Sequence, residues 1–431
     1  MTKGEVNANG TAQRDGYNII YTNHTLNGMS GGAVLNEQGE VVAVHGRVDE
    51  QAISEKSQDK ITTDIGTTIG LGTTIYSAAR QMLAVGVDLG VDLPSSNVAS
   101  APKADDFYIK ANEKYRQKDY RGAITNYSEA IRLNPNYAEA YLNRGYTRSD
   151  LGDKQGAIAD YNQALQINPK YADAYYQRGR VQLNDLKEET SATRDFQKAA
   201  DLYFEQGKKA DGYRSQGVIR SILKDYQGAI TVYTQSIKLN PNDLQAYINR
   251  GIARHQSGDN RGAIADFNAA LKINPNLALA YNNRGNAHSD LGDKQEAIAD
   301  FNAAIKINPN FALAYYNRGN ARRQLGDKQG AIADYNAALK INPNSALAYN
   351  NRGNARRQLG DNQGAIADYN AALKINPKYA LAYNNRGVAR HQLGDNQGAI
   401  VDLKKGAELF RQQGNRKAYQ NTLELIRKYQ Q

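Results

Sequence analysis

Residues 278–311 read ALAYNNRGNAHSDLGDKQEAIADFNAAIKINPNF, and nearly the same 34-residue phrase returns from Ala312 and again from Ala346. Self-similarity at this period marks a stack of one supersecondary unit, each copy burying its apolar face on the next. Prolines at 135, 169, 241, 275, 309, 343 and 377 extend the period in both directions, broken only between 169 and 241. From Ala104 onward the pattern is helical, and the repeat phrase divides it into nine units: 104–137, 138–171, 172–209, 210–243, 244–277, 278–311, 312–345, 346–379 and 380–413. The third is irregular, with DLKEETSATRDF and FEQGKKA in place of the usual phrase and proline turn. Residues 414–431 form a last helix with a polar face, which an open-ended stack needs as a cap.

Side-chain size explains the phrase. With each proline set as position 32, position 8 is glycine (Gly145, Gly251, Gly285, Gly319) and position 20 alanine (Ala157, Ala263, Ala297, Ala331). Small residues at both places let two helices cross closely, while aromatics at positions 4 and 24 fill the space around the crossing. The proline breaks the second helix, and the first glycine of the G-D-x-Q-G link ends the first. Arginine at position 7 (Arg144, Arg178, Arg250, Arg284, Arg318, Arg352, Arg386) occurs in the same repeats as aspartate at or beside position 23 (Asp160, Asp195, Asp266, Asp300, Asp334, Asp368, Asp402). This co-occurrence predicts an Arg–Asp bridge between the two helices of a repeat.

The pattern strongly resembles the tetratricopeptide repeat. The resemblance implies a mainly α fold: a right-handed α-solenoid of nine helix-turn-helix repeats over 104–413, capped by 414–431. It also implies that the first helix of each repeat (helix A) lines a concave groove, chiefly through positions 2, 5, 6, 9, 12 and 13. Position 6 supplies Asn143, Asn249, Asn283, Asn317, Asn351 and Asn385; position 9 adds Asn286, Asn320 and Asn354; position 12 adds Arg323 and Arg357. Asparagine carries a donor and an acceptor suited to the backbone of an extended peptide, and arginine suits carboxylates. The family's clamp for C-terminal carboxylates uses asparagines at comparable positions, but its lysine partners are missing here.

The first 86 residues read as β rather than helix. Asn18–Thr22, Val41–Val44 and Ile69–Ile75 are short β-branched runs bounded by turn residues. Between the first two stands Asn27-Gly28-Met29-Ser30-Gly31-Gly32-Ala33-Val34-Leu35. Over roughly residues 15–86 the segment resembles the tail end of a trypsin-like serine peptidase, whose nucleophile sits in a G-x-S-G-G turn. The resemblance implies a small partial β-barrel over 1–86, with Ser30 as nucleophile and the N–H groups of Gly28 and Ser30 as oxyanion hole. A serine nucleophile needs a positioned base and an orienting acid, which this family places far upstream, whereas only 29 residues precede Ser30. His24, His45 and Asp15 occupy no family position. A half-domain remnant and a start at an internal methionine both fit. Residues 87–103, rich in Pro, Ser and Ala, read as a tether.

Composition narrows the classes. There is no cysteine, hence no thiolate metal site or cysteine nucleophile, and nothing in the sequence calls for a metal or other cofactor. No apolar run approaches the ~18 residues of a membrane helix, and the polar start lacks the apolar core of a signal peptide, so cytoplasm is the default. Of the net charge of +10, residues 1–103 contribute −4 (7 Lys/Arg, 11 Asp/Glu) and the remainder +14. A basic array attracts acidic protein or peptide partners. Nucleic-acid binding through the repeats would need stacking aromatics on the binding face, and most tyrosines here fall at packing positions. The sequence thus predicts a protein-interaction scaffold carrying an inactive trypsin-like remnant, with a serine endopeptidase that recruits substrates through its repeats as the alternative.

Overall fold

The computed structural model describes residues 103–430, together with the backbone of five short strands between Asn18 and Val48. It divides into two compact units, Met1–Leu186 and Lys187–Gln431.

In the first unit, helices Ala104–Arg116 and Tyr120–Leu133 form one antiparallel pair and Ala138–Leu151 and Lys154–Ile167 the next. Helix Ala172–Val181 follows and runs into a π-helical segment, Gln182–Leu186. Upstream, Ala33–Leu35 pairs antiparallel with both Asn18–Ile19 and Val41–Val44, and Met29–Ser30 pairs with Arg47–Val48. The strand expected at 69–75 and residues 87–102 of the tether lie outside the described residues. Beyond these five strands, the residues of the barrel expected over 1–86 lie outside the described residues as well.

The second unit opens with helix Glu189–Glu205 and continues as pairs: Lys209–Ile222 with Tyr226–Leu239, Leu244–Gln256 with Asn260–Ile273, and Ala278–Leu291 with Lys294–Ile307. Then come Ala312–Gln324 with Lys328–Ile341, Ala346–Gln358 with Asn362–Ile375, and Ala380–Gln392 with Asn396–Gln412, closed by Arg416–Gln430. Among the described residues the array is thus a stack of helix pairs in each unit.

Local chemistry sets the helix ends. Helix Lys328–Ile341 begins where the Asp327 carboxylate accepts the N–H of Gly330 at 2.8 Å, and the same cap recurs at Asp119, Asp153, Asp225, Asp259, Asp361 and Asp395. Such a cap satisfies an N–H that has no partner within the helix. The accepted backbone N–H, then the Lys114 ammonium, holds the Asp119 carboxyl below its ordinary range; Gly228 and then Arg220 do the same for Asp225. Gly326 takes φ +88° just after the helix it terminates, and Lys118 and Lys224 occupy the corresponding left-handed position in the first and fourth repeats.

The crossing of the two helices is as tight as the small residues predict. A Cβ at Gly319 would stand 2.8 Å from the Tyr335 ring, and Ala331 is wholly buried. Six of the seven predicted bridges are seen: Arg144–Asp160 at 2.7 Å, Arg250–Asp266 at 2.6 Å, and Arg284–Asp300, Arg318–Asp334, Arg352–Asp368 and Arg386–Asp402 at 2.5 Å. Each aspartate is almost fully buried. The same arginine also reaches the preceding repeat, as Arg318 Nη1 does to Asn302 Oδ1 at 2.5 Å and Arg178 Nη1 to Asn162 Oδ1 at 2.7 Å. Its guanidinium further lies over the position-4 tyrosine, 5.4 Å from the Tyr315 ring centre for Arg318. One side chain therefore joins helix A to helix B and one repeat to its neighbour.

The closing helix takes over the contacts of a further repeat. Its Ala418 and Tyr419 pack on Leu409 and Phe410, and Tyr429 stacks on His391 with ring centres 3.5 Å apart.

Candidate functional site

Helix-A positions 2, 6, 9 and 13 fall on one stripe, because residues three to four apart share a helix face. On this stripe Leu279, Leu313, Leu347 and Leu381 at position 2 are 42–55 % exposed, an unusual placement for leucine repeated four times in register.

Beside the leucines the asparagines form a hydrogen-bonded ladder between repeats. In the second unit Asn317 Nδ2 donates to Asn282 Oδ1 and Asn385 Nδ2 to Asn350 Oδ1, each at 3.0 Å. Asn351 Nδ2 donates to the Tyr316 hydroxyl at 3.0 Å and to Asn320 Oδ1 at 2.9 Å. The position-9 oxygens are held from behind by buried tyrosines: Tyr335 donates to Asn320 at 2.7 Å and Tyr369 to Asn354 at 2.8 Å. Burial is the main force raising both hydroxyl pKa values, each to about 12, against the opposing pull of Arg323 and Arg357 respectively. Asn249 accepts from Gln245 at 2.8 Å, Asn283 accepts from Asn282 at 3.4 Å, and Asn286 lies half-buried on the same stripe. At the end of the array, Thr422 Oγ1 donates to Asn384 Oδ1 at 3.1 Å. In the first unit Asn143 Nδ2 reaches the Tyr108 hydroxyl at 2.7 Å, and Tyr127 reaches Asn112 at 2.5 Å.

The ladder changes what the asparagines can offer. An asparagine has two donors, and both of Asn351's point to its neighbours. Asn317 and Asn385 each show one such bond. These side chains first fix the register between repeats and present to a ligand only the capacity left over.

A second arginine, at position 11, escaped the sequence reading. Arg322 Nη1 donates to Asp334 Oδ2 at 3.0 Å, and Arg148, Arg254, Arg356 and Arg390 repeat the arrangement. Its signal was present, since it stands one helical turn after position 7 in those repeats. Both sets of arginines are thus neutralised inside the array. Of the residues singled out upstream, Ser30 lies on the strand Met29–Ser30, and Gly28, His24, His45 and Asp15 lie outside the described residues. Among the described residues no cluster of His, Asp or Glu is arranged to hold a metal, and no helix is long and apolar enough to cross a membrane.

Stacked helix pairs with a periodic polar stripe define a helical repeat protein. Models of the tetratricopeptide repeat match residues 111–152, 147–185, 222–258, 253–292 and 353–394, with further matches over 282–346 and 334–367. Together they cover more than half of the chain, which belongs to the tetratricopeptide repeat family. A curated relative, the Hsp70-Hsp90 organizing protein of Triticum aestivum, is 24% identical over 152 residues. That match covers 35% of this chain, and the chain spans only 20% of the relative's length. Among solved structures, MamA protein is 27% identical with a TM-score of 0.37, covering 40% of this chain and 94% of its own. YrrB, described as a TPR protein with an unusual peptide-binding site, is 22% identical with a TM-score of 0.37, over 44% and 97% of the two chains.

Proposed function

We propose that the chain is a scaffold that binds extended segments of partner proteins along the helix-A face of its repeats. The observation that carries this reading is the register of the face. Leucine at position 2 and asparagine at position 6 recur together in consecutive repeats (Leu279/Asn283, Leu313/Asn317, Leu347/Asn351, Leu381/Asn385). A surface that repeats the same apolar and polar groups matches a ligand that is itself repetitive, such as an extended backbone with alternating side chains. Family membership adds weight, since the resemblance places these positions in the concave groove. For the test, peptides selected on the full chain from a random library are bound to it with amide exchange as readout. Protection is expected in helices Ala312–Gln324 and Ala346–Gln358, and Leu313→Glu with Leu347→Glu is expected to weaken binding at least ~10-fold. Those leucines are exposed, so the helix content should stay unchanged. Protection confined to the second helices of the repeats would defeat the proposal.

The upstream residues support a second reading: a remnant of a trypsin-like domain over roughly 15–86, inactive in this chain. Its support is the sequence NGMSGGAVL followed by the Val41–Val44 run. A fluorophosphonate probe is expected to leave the protein unlabelled. Labelling that vanishes in Ser30→Ala would instead favour the serine endopeptidase, with a base still to be found.

A further inference from the structure

Position 12 of helix A reaches position 13 of the following repeat, and in two places that contact ends on a carboxylate. Tyr115 donates to Asp150 Oδ2 at 2.6 Å, and His255 Nε2 lies 2.8 Å from Asp290 Oδ2; both pairs are 35 residues apart. In the seventh and eighth repeats the same register pairs Arg323 with Gln358 and Arg357 with Gln392. The donor has become a full cation and the acceptor has lost its charge. The position-7 and position-11 arginines of these repeats all end on Asp334 or Asp368. Arg323 and Arg357 have no carboxylate within ion-pair distance among the described residues, and the Nε of each is buried without a partner.

Both guanidiniums are held in place. Arg323 lies against the Tyr335 hydroxyl and Arg357 against that of Tyr369, and those hydroxyls are fixed by Asn320 and Asn354. Further along, the His391–Tyr429 stack closes the row, with Arg357 also acting on Tyr429. Beside them Lys328 Nζ donates to the backbone oxygen of Gln358 at 3.2 Å, adding a third positive charge. A guanidinium without an internal carboxylate keeps its capacity for a charge-assisted bond to an outside one.

We propose that Arg323 and Arg357 form a two-cation subsite that takes the carboxylates of an acidic, extended peptide, supplying the negative charge that Gln358 and Gln392 lack. This rests on the peptide-scaffold reading and names the chemistry of its partner. The occupant is an acidic peptide because the cations sit on the same helices as the exposed leucines and asparagines, one turn beyond the position-9 asparagines, and a polyanion without apolar groups would leave the leucines unused.

The test uses fluorescence anisotropy on the full chain with three probes: an extended glutamate- and leucine-containing peptide, its glutamine twin, and a single-stranded oligonucleotide of equal charge. The glutamate peptide is expected to bind about 10-fold or more tightly than its twin, a preference that Arg323→Gln with Arg357→Gln removes. Gln358→Glu with Gln392→Glu, which keeps both arginines and restores the internal carboxylates, should also weaken the glutamate peptide. The subsite is overturned if the preference survives loss of both arginines, if neither peptide binds, or if the oligonucleotide displaces the glutamate peptide. Equal binding of the two peptides, abolished by Leu313→Glu, would overturn the subsite and leave the scaffold reading standing. Glutamate binding that ignores Leu313→Glu would do the reverse.

Discussion

Replacing Asp334 by alanine is expected to destabilise the helix pair Ala312–Ile341 by about 3–5 kcal/mol, the usual cost of breaking a buried ion pair from one side. Asp334 is 2 % exposed and accepts from Arg318 through Nε and Nη2 and from Arg322 through Nη1. Its removal leaves two guanidiniums turned into the gap between the helices. Arg318 would keep only its bond to Asn302, so strain should pass to the preceding repeat as well. Asp334→Asn preserves the shape and one acceptor and should cost less. A repeat array need not unfold as one unit, so the measurement is native-state amide exchange resolved by helix. Protection in Lys328–Ile341 should fall first; a loss below about 1 kcal/mol would mean that the bridge is as dispensable as a surface pair.

Truncating Tyr335 to alanine is expected to cost a similar ~3–5 kcal/mol, through lost burial and the cavity left behind. The ring has no exposed surface, packs with Ala331 and with Ala355 of the next repeat, and lies against Gly319. Tyr335→Phe isolates the hydroxyl, whose bond to Asn320 should be worth about 1 kcal/mol. The two variants differ in reach. Alanine should loosen both repeats that share the ring, whereas phenylalanine should mainly free Asn320 and its partner Asn351. Exchange measured in helix Ala346–Gln358 separates the cases, and equal effects of the two substitutions would refute this division of labour.

The repeat could be read from sequence because its packing depends on side-chain size at fixed spacing, which an alphabet of residues records directly. Gly319, Ala331 and Tyr335 each occupy the only kind of site their volumes allow. The Arg318–Asp334 bridge was legible for a different reason: repeats lacking one partner lack the other. The asparagine ladder was harder. Asn351 looked like a free groove residue because its partners, Tyr316 and Asn320, lie a whole repeat away. The aspartate at position 23 showed one arginine in the sequence and receives two in the structure, since position 11 varies enough, with His288 in the sixth repeat, to blur the pattern. Ser30 illustrates the opposite limit: its turn was legible, but a catalytic constellation is a matter of distances between distant residues, which no local phrase encodes.

The bond from Asn317 to Asn282 and that from Asn385 to Asn350 are the same bond, and Thr422 to Asn384 is nearly so. Those two interfaces therefore look alike to their neighbours, and the closing helix meets the last repeat through a similar contact. Nothing in such an arrangement counts. The molecule's length is set by how many copies were joined and not by a fit that only one number would satisfy, so copies can be gained or lost without any interface having to be invented anew.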